Sequence, residues 1–203
     1  MTKADARLVL ASHNVGKIAE LRALLAPHRW QVETLSIYTE SGVDENAPSY
    51  IENALHKARA AASVSGLPAI ADDSGLEVAA LGGAPGIRSA RYAGECANDQ
   101  QNLECLLGAL SGISEARRDA CFRCLVVYLE RPDDPAPLIA EGVWHGRILC
   151  APQGEDGFGY DPVFYLPEQG CSAAELKPEQ KNLLSHRAQA VRCLIARLIG
   201  SRL

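Results

Sequence analysis

An α/β fold with a mixed sheet is what this sequence predicts. Two short apolar runs, residues 8–11 and 68–72, each sit beside a helix-like pattern. Two longer strand-like runs, residues 121–129 and 138–149, bracket a turn segment. At 203 residues the chain reads as one domain, 1–203, large enough for a full core.

The elements follow in order. Residues 8–11 form a buried strand. A helix over 16–25 places Ile18, Leu21 and Leu25 on one face, and Pro27 stops it. Residues 30–35 make a second strand, followed by a polar, acidic loop over 40–48. Ser49 and Glu52 have capping-box spacing at the start of a helix marked by Ile51, Leu55, Ala58 and Ala62, which Gly66 ends. The strand over 68–72 stops at Asp72-Asp73-Ser74-Gly75. Residues 81–86 are too glycine-rich for a regular element, and Asn98 or Asp99 caps a helix through Leu110. The runs 121–129 and 138–149 enclose Arg131-Pro132-Asp133-Asp134-Pro135 and are expected to pair antiparallel and project as a second lobe. Gly157 to Pro162 interrupts regularity before a short strand over 163–166. A final helix over 178–199 carries Leu183, Val191, Leu194 and Leu198 as core positions.

Bulk properties exclude several function classes. Net charge is −5 with a pI near 5.6, so no broad basic face is available for a nucleic-acid backbone, although a local basic pocket still suits a mononucleotide. Seven cysteines at irregular spacing, without a signal-peptide pattern, fit a reducing cytoplasm. Cys121 and Cys124 have CxxC spacing, but they lie in a strand-like run with no second pair, which favours structural thiols over zinc or redox chemistry. No apolar stretch is long enough to span a bilayer.

Two motifs carry chemistry. Ser12-His13-Asn14-Val15-Gly16-Lys17 lies between a strand and a helix. Helix N-terminal N–H groups attract anions, Gly16 permits close backbone approach, and Lys17 adds a point charge. It lacks Walker A spacing, and by itself it also reads as a plain helix start with a solvated lysine. Asp72 and Asp73 offer hard oxygen ligands, with Glu45 a partner from another segment. Magnesium takes one or two such carboxylates plus water and phosphate oxygens. Successive strand residues face opposite ways, so the two aspartates divide their tasks, and spacing leaves open which faces the site. Phe158 lies between two glycines, placed either to stack on a planar ligand or to plug the loop. Asp161, His186 and Arg187 could meet a base edge.

Five segments carry a combined signature: Leu10 to Lys17, Ile51 to Ala58, Ile70 to Leu76 with its continuation Gly82 to Tyr92, Gly157 to Pro162, and Ser185-His186-Arg187. Together they resemble the inosine triphosphate pyrophosphatase family, most closely its bacterial dITP/XTP-hydrolysing branch. The resemblance implies an elongated, two-lobed mixed sheet flanked by helices, with the active cleft between the lobes. It implies a homodimer and Mg²⁺-dependent hydrolysis of ITP, dITP and XTP to the monophosphate and pyrophosphate. Carried over by position, Ser12, His13, Asn14, Val15, Gly16 and Lys17 would cradle the triphosphate, with Lys57 assisting. Glu45 and Asp73 would bind Mg²⁺, and Asp73 would accept the proton of water. Asp72 would support the turn and Ser74 would touch substrate. Phe158, Gly159, Tyr160 and Asp161 would form the base wall. Lys181, His186 and Arg187 would meet the base and its surroundings. Arg187 and backbone N–H groups would donate to the six-oxygen of hypoxanthine or xanthine but face the amine of adenine donor to donor. Two departures from the family pattern stand out: Ser12-His13-Asn14 replaces a Thr-Gly-Asn type sequence, and Glu155-Asp156 replaces small or neutral residues.

Three rival readings remain: a phosphatase releasing orthophosphate, a nucleotide-binding regulator without turnover, and a purely structural or interaction protein. Nothing in the last would demand these glycine loops and carboxylates together.

Overall fold

A computed structural model describes residues 7–28, 30–40, 43 and 46–200. Its sheet has seven strands in the order β2-β1-β3-β4-β5-β6-β7. They are β1 (Arg7–Leu10), β2 (Gln31–Thr34), β3 (Ala69–Val78), β4 (Asp119–Leu129), β5 (Leu138–Ile148), β6 (Phe164–Leu166) and β7 (Cys171–Ser172). The helices are α1 (Val15–Leu25), α2 (Tyr50–Ser65), α3 (Asp99–Ala109), α4 (Pro178–Leu184) and α5 (His186–Gly200). β1 pairs parallel with both β2 and β3, while β6 pairs antiparallel with β5 and β7. The expected mixed sheet with flanking helices is present.

The chain divides into two units. The first comprises Met1–Asp73, Cys124–Gly142 and Arg187–Leu203, and the second Ser74–Arg123 and Val143–His186. Within the first unit, one apolar cluster gathers Leu8, Leu10, Leu21, Leu25, Ile70, Val126, Val191 and Leu194 from β1, α1, β3, β4 and α5. A second cluster packs Val9, Ala69, Ala71 and Val127 against Ala54, Ala58, Ala61 and Ala62 of α2. The alanines on one face of α2 bring that helix close to the strands. The second unit has its own core of Leu76, Leu103, Leu106, Leu110, Phe122, Trp144, Phe164 and Leu176.

Local signals explain most boundaries. Asn14 caps α1 by accepting from the Lys17 N–H at 2.9 Å. Ser49 caps α2, and Gly66 closes that helix at φ +67°, a left-handed conformation that favours glycine. Asn98 and Gln101 complete a reciprocal capping box on α3.

Three expectations are corrected. β3 does not stop at Asp72 but runs through both carboxylates and Gly75 to Val78, because their charges are met by Lys17, Lys57 and Arg187. The turn between β4 and β5 belongs to the first unit, within Cys124–Gly142, rather than projecting as a second lobe. The final helix is two helices: Ser185 adopts ψ 157°, breaking the hydrogen-bond ladder between α4 and α5. The break shifts the helical phase, so Leu183, an expected core position, is 67% exposed.

Gly146 of β5 has a packing role. A β-carbon there would lie 2.5 Å from the Tyr165 carbonyl oxygen and 2.7 Å from the Phe164 ring. Gly146→Ala is therefore expected to destabilise the protein by about 1–3 kcal/mol through overpacking, read as a lower midpoint in urea unfolding. An unchanged midpoint would contradict that packing.

Candidate active site

The first unit collects six alternating charges around β3. Asp72 shares its face with Ile70, and its Oδ2 accepts from Arg187 Nε at 3.1 Å and lies 3.4 Å from Lys17 Nζ. Arg187, 1% exposed in the first turn of α5, also pairs through Nη1 with Glu20 of α1. Asp73 points to the opposite face with Ala71. Its Oδ1 accepts from Lys57 Nζ at 3.2 Å and its Oδ2 from Asn53 Nδ2 at 3.1 Å. Asn53 and Lys57 are one helical turn apart on α2, which aims both at the same carboxylate. Asn53 Oδ1 also accepts from the Ala47 N–H at 3.0 Å, so the same side chain tethers the end of the acidic loop.

Burial alone would push the Asp72 carboxyl up, but Lys17, Arg187 and Lys57 outweigh it and hold the group well below the usual carboxylate range. Burial lowers the basicity of Arg187, yet Asp72 and Glu20 more than reverse this and keep the guanidinium charged. Beside them the Cys124 thiol lies 3.9 Å from Asp72, and burial followed by that negative charge pushes its pKa up. It is an inert core thiol, and all seven cysteines are free.

At the mouth of the glycine loop, Ser12 Oγ accepts from the Asn14 N–H at 3.2 Å. With Lys17 N–H taken by Asn14, the Val15 and Gly16 N–H groups have no intrahelical acceptor at the start of α1. They are available to an anion. His13 is exposed, and Val15 is 80% exposed.

The second unit holds the base-side candidates. Asp161, nearly buried, accepts through Oδ2 from the Phe158 N–H at 2.9 Å and from Lys181 Nζ at 2.5 Å. The Lys181 ammonium stands 4.7 Å from the centre of the half-buried Phe158 ring, a cation–π contact. Gly159 sits at φ +63°, and its N–H donates to Asp99 at 2.8 Å. Gly157, at φ +81°, leaves room for Asp161, whose Oδ2 would be 2.2 Å from any β-carbon there. Tyr160 donates to the Ser89 carbonyl at 2.8 Å, and burial raises its pKa, so it remains a donor. His186 stacks on Phe122 at 4.8 Å and 10°. Ser74 opens this unit and is half-buried.

The structure thus groups Ser12 to Lys17, Lys57, Asp73 and Arg187 in one unit, and Ser74, Phe158 to Asp161, Lys181 and His186 in the other. Glu45 lies outside the described residues. Asp72 supports no turn; it sits inside β3 as the partner of two cations. Asn53 and Glu20 were not singled out from sequence, and Asp99 only as a possible helix cap. Asn53 had a readable signal, a polar side chain four residues before Lys57 on one helix face. Glu20 and Asp99 had none, because their partners are 167 and 60 residues away.

Comparison with known proteins gives a consistent pattern. A family model described as the Ham1 family matches residues 8–197. A dITP/XTP pyrophosphatase of Vibrio parahaemolyticus is 52% identical over 192 residues, covering 95% of this chain and 96% of that protein. One of Aromatoleum aromaticum is 55% identical over 193 residues, covering 95% and 96%. Among solved structures, a HAM1 protein from Coxiella burnetii superposes with a TM-score of 0.87 at 44% identity, covering 96% of this chain and 99% of that one.

The buried charge network sets a stability expectation. Arg187→Met leaves the buried Asp72 and the partly buried Glu20 without their shared cation and is expected to cost about 3–5 kcal/mol. Arg187→Met combined with Asp72→Asn and Glu20→Gln should recover more than half of that loss in urea unfolding. A triple variant no more stable than the single one would contradict the pairing.

Proposed function

The chain belongs to the Ham1 family, and on that premise we propose that it is a hydrolase that cleaves non-canonical purine nucleoside triphosphates, ITP, dITP and XTP, to the monophosphate and pyrophosphate. In this role it removes such nucleotides from the pool. The observation that carries the reading is Asp73, a nearly buried carboxylate with each oxygen held by a different donor of α2, in the same unit as a glycine loop with open N–H groups. A carboxylate gripped this way has one orientation from which to accept the proton of an attacking water.

The loop from Ser12 to Lys17 would receive the triphosphate through the Val15 and Gly16 N–H groups and the Lys17 ammonium, with Ser12 and Asn14 shaping the turn. Lys17, Lys57 and Arg187 are already paired with carboxylates, so an arriving polyphosphate brings negative charge that the side chains alone leave uncompensated. That imbalance, and the hard carboxylate oxygens of Asp73, fit Mg²⁺. Asp73 and Glu45 would hold it, and when bound it would neutralise phosphate oxygens. Lys57 would hold Asp73 turned toward the water.

In the second unit, Phe158 would stack on the purine, with Gly159, Tyr160 and Asp161 forming its wall and His186 backing it through the Phe122 stack. Ser74 would touch the substrate. The geometry favours Lys181 over Arg187 as the donor to the six-oxygen. The Arg187 guanidinium is engaged by two carboxylates, Asp72 and Glu20, whereas Lys181, itself paired with Asp161, stands at the Phe158 face where the base would stack. An ammonium satisfies an oxygen there and faces the adenine amine donor to donor, a mismatch of about 1–3 kcal/mol.

We take the two units as one domain over 1–203, because the chain passes repeatedly from one to the other. A homodimer and a cytoplasmic location are proposed on the resemblance; no helix among the described residues is long and apolar enough to cross a membrane.

Turnover of ITP should require Mg²⁺, stop on chelation and release pyrophosphate. Orthophosphate as first product would overturn the assignment. Asp73→Asn should lower kcat by about 10²-fold or more while nucleotide still binds in equilibrium dialysis. Lys181→Gln should shrink the ratio of kcat/KM for ITP over ATP by roughly tenfold. An unchanged ratio would remove Lys181 from base selection.

A further inference from the structure

Two successive amides of the Gly157 to Pro162 loop, those of Phe158 and Gly159, are each held by a different carboxylate. Asp161, inside the loop, accepts from Phe158 N–H at 2.9 Å. Asp99, 60 residues earlier, accepts from Gly159 N–H at 2.8 Å. The second bond is the only one of the two that ties the loop to a separate rigid element. Asp99 is the first residue of α3, which Asn98 and Gln101 cap reciprocally. α3 is itself pinned: Leu103 and Leu106 enter the core, and the buried Asn102 donates to the Ala90 carbonyl at 3.0 Å and accepts from the Ala93 N–H at 2.9 Å.

We propose that Asp99 is a positioning residue for purine recognition. By holding the Gly159 amide it sets the left-handed turn at φ +63° and with it the angle at which the Phe158 ring is presented. The inference rests on the reading that Phe158 stacks on the base, and Asp99 itself touches no substrate. Preorganisation is the physical gain: a ring already held in its binding pose loses less conformational entropy when the base arrives. A bond donated to an exposed carboxylate is weaker than a buried one, so the effect falls on substrate affinity rather than on folding.

The test is steady-state hydrolysis of ITP by the full chain with Mg²⁺, comparing Asp99→Ala, Asp99→Asn, Phe158→Ala and the double variant Asp99→Ala with Phe158→Ala. Asp99→Ala should raise KM by roughly fivefold with kcat within about twofold. Asp99→Asn, whose amide oxygen still accepts the Gly159 N–H, should stay near the parent. In the Phe158→Ala background, Asp99→Ala should add nothing, because the ring it orients is gone. If Phe158→Ala raises KM and Asp99→Ala leaves it unchanged, the positioning role is overturned while the stacking reading stands. If Phe158→Ala leaves KM unchanged, the stacking reading fails and takes this inference with it. A fall in kcat and melting temperature at constant KM, or additive effects in the double variant, would reduce Asp99 to a support of α3.

Discussion

The two-residue alternation of β3 is the constraint on which the first unit depends. Adjacent aspartates must face opposite sides of a sheet, and a buried carboxylate survives there only with cations or donors around it. Asp72 therefore draws in Lys17 from α1 and Arg187 from α5, and Arg187 in turn holds Glu20. Asp73 draws in Asn53 and Lys57 from α2. One dipeptide thus organises three helices, and its two negative charges balance those it gathers from them. A near-neutral network is poorly suited to hold a polyanion by itself, which is why a divalent cation belongs in the functional proposal.

The second unit uses carboxylates differently. Asp161 and Asp99 accept from backbone N–H groups, and their effect is to hold a glycine-flanked loop in one shape. Gly157 and Gly159 supply the left-handed turns, and Gly157 also makes room for Asp161. Lys181 joins the two tasks, neutralising Asp161 while standing over the Phe158 ring. Aromatic, lysine and aspartate are coupled, so a change in any one alters the other two.

Much of this was legible in the chain. The glycine loop before α1, the caps at Ser49 and Asn98, and the glycine-flanked Phe158 are local signals, and each appears where the pattern places it. The carboxylate pair was legible as a site, but its secondary structure was not. Asp-Asp-Ser-Gly reads locally as a turn; it is held in a strand by Lys17, Lys57 and Arg187, which no local window contains. The break at Ser185 was hidden for a related reason. Residues on both sides are good helix formers, and only the extended backbone at that one residue separates them. The expectation that Leu183 is buried fell with it.

Local sequence was enough for the α/β class, the helix starts and the set of chemistry-bearing residues. These rest on capping, periodicity and residue chemistry within a few positions of one another. Tertiary structure alone decided the partnerships: Arg187 with Asp72 and Glu20, Asn53 with Asp73, and Asp99 with Gly159. Such pairings depend on which buried charge or amide lacks a partner once the strands and helices have packed. That is a property of the folded arrangement, and no spacing along the chain encodes it.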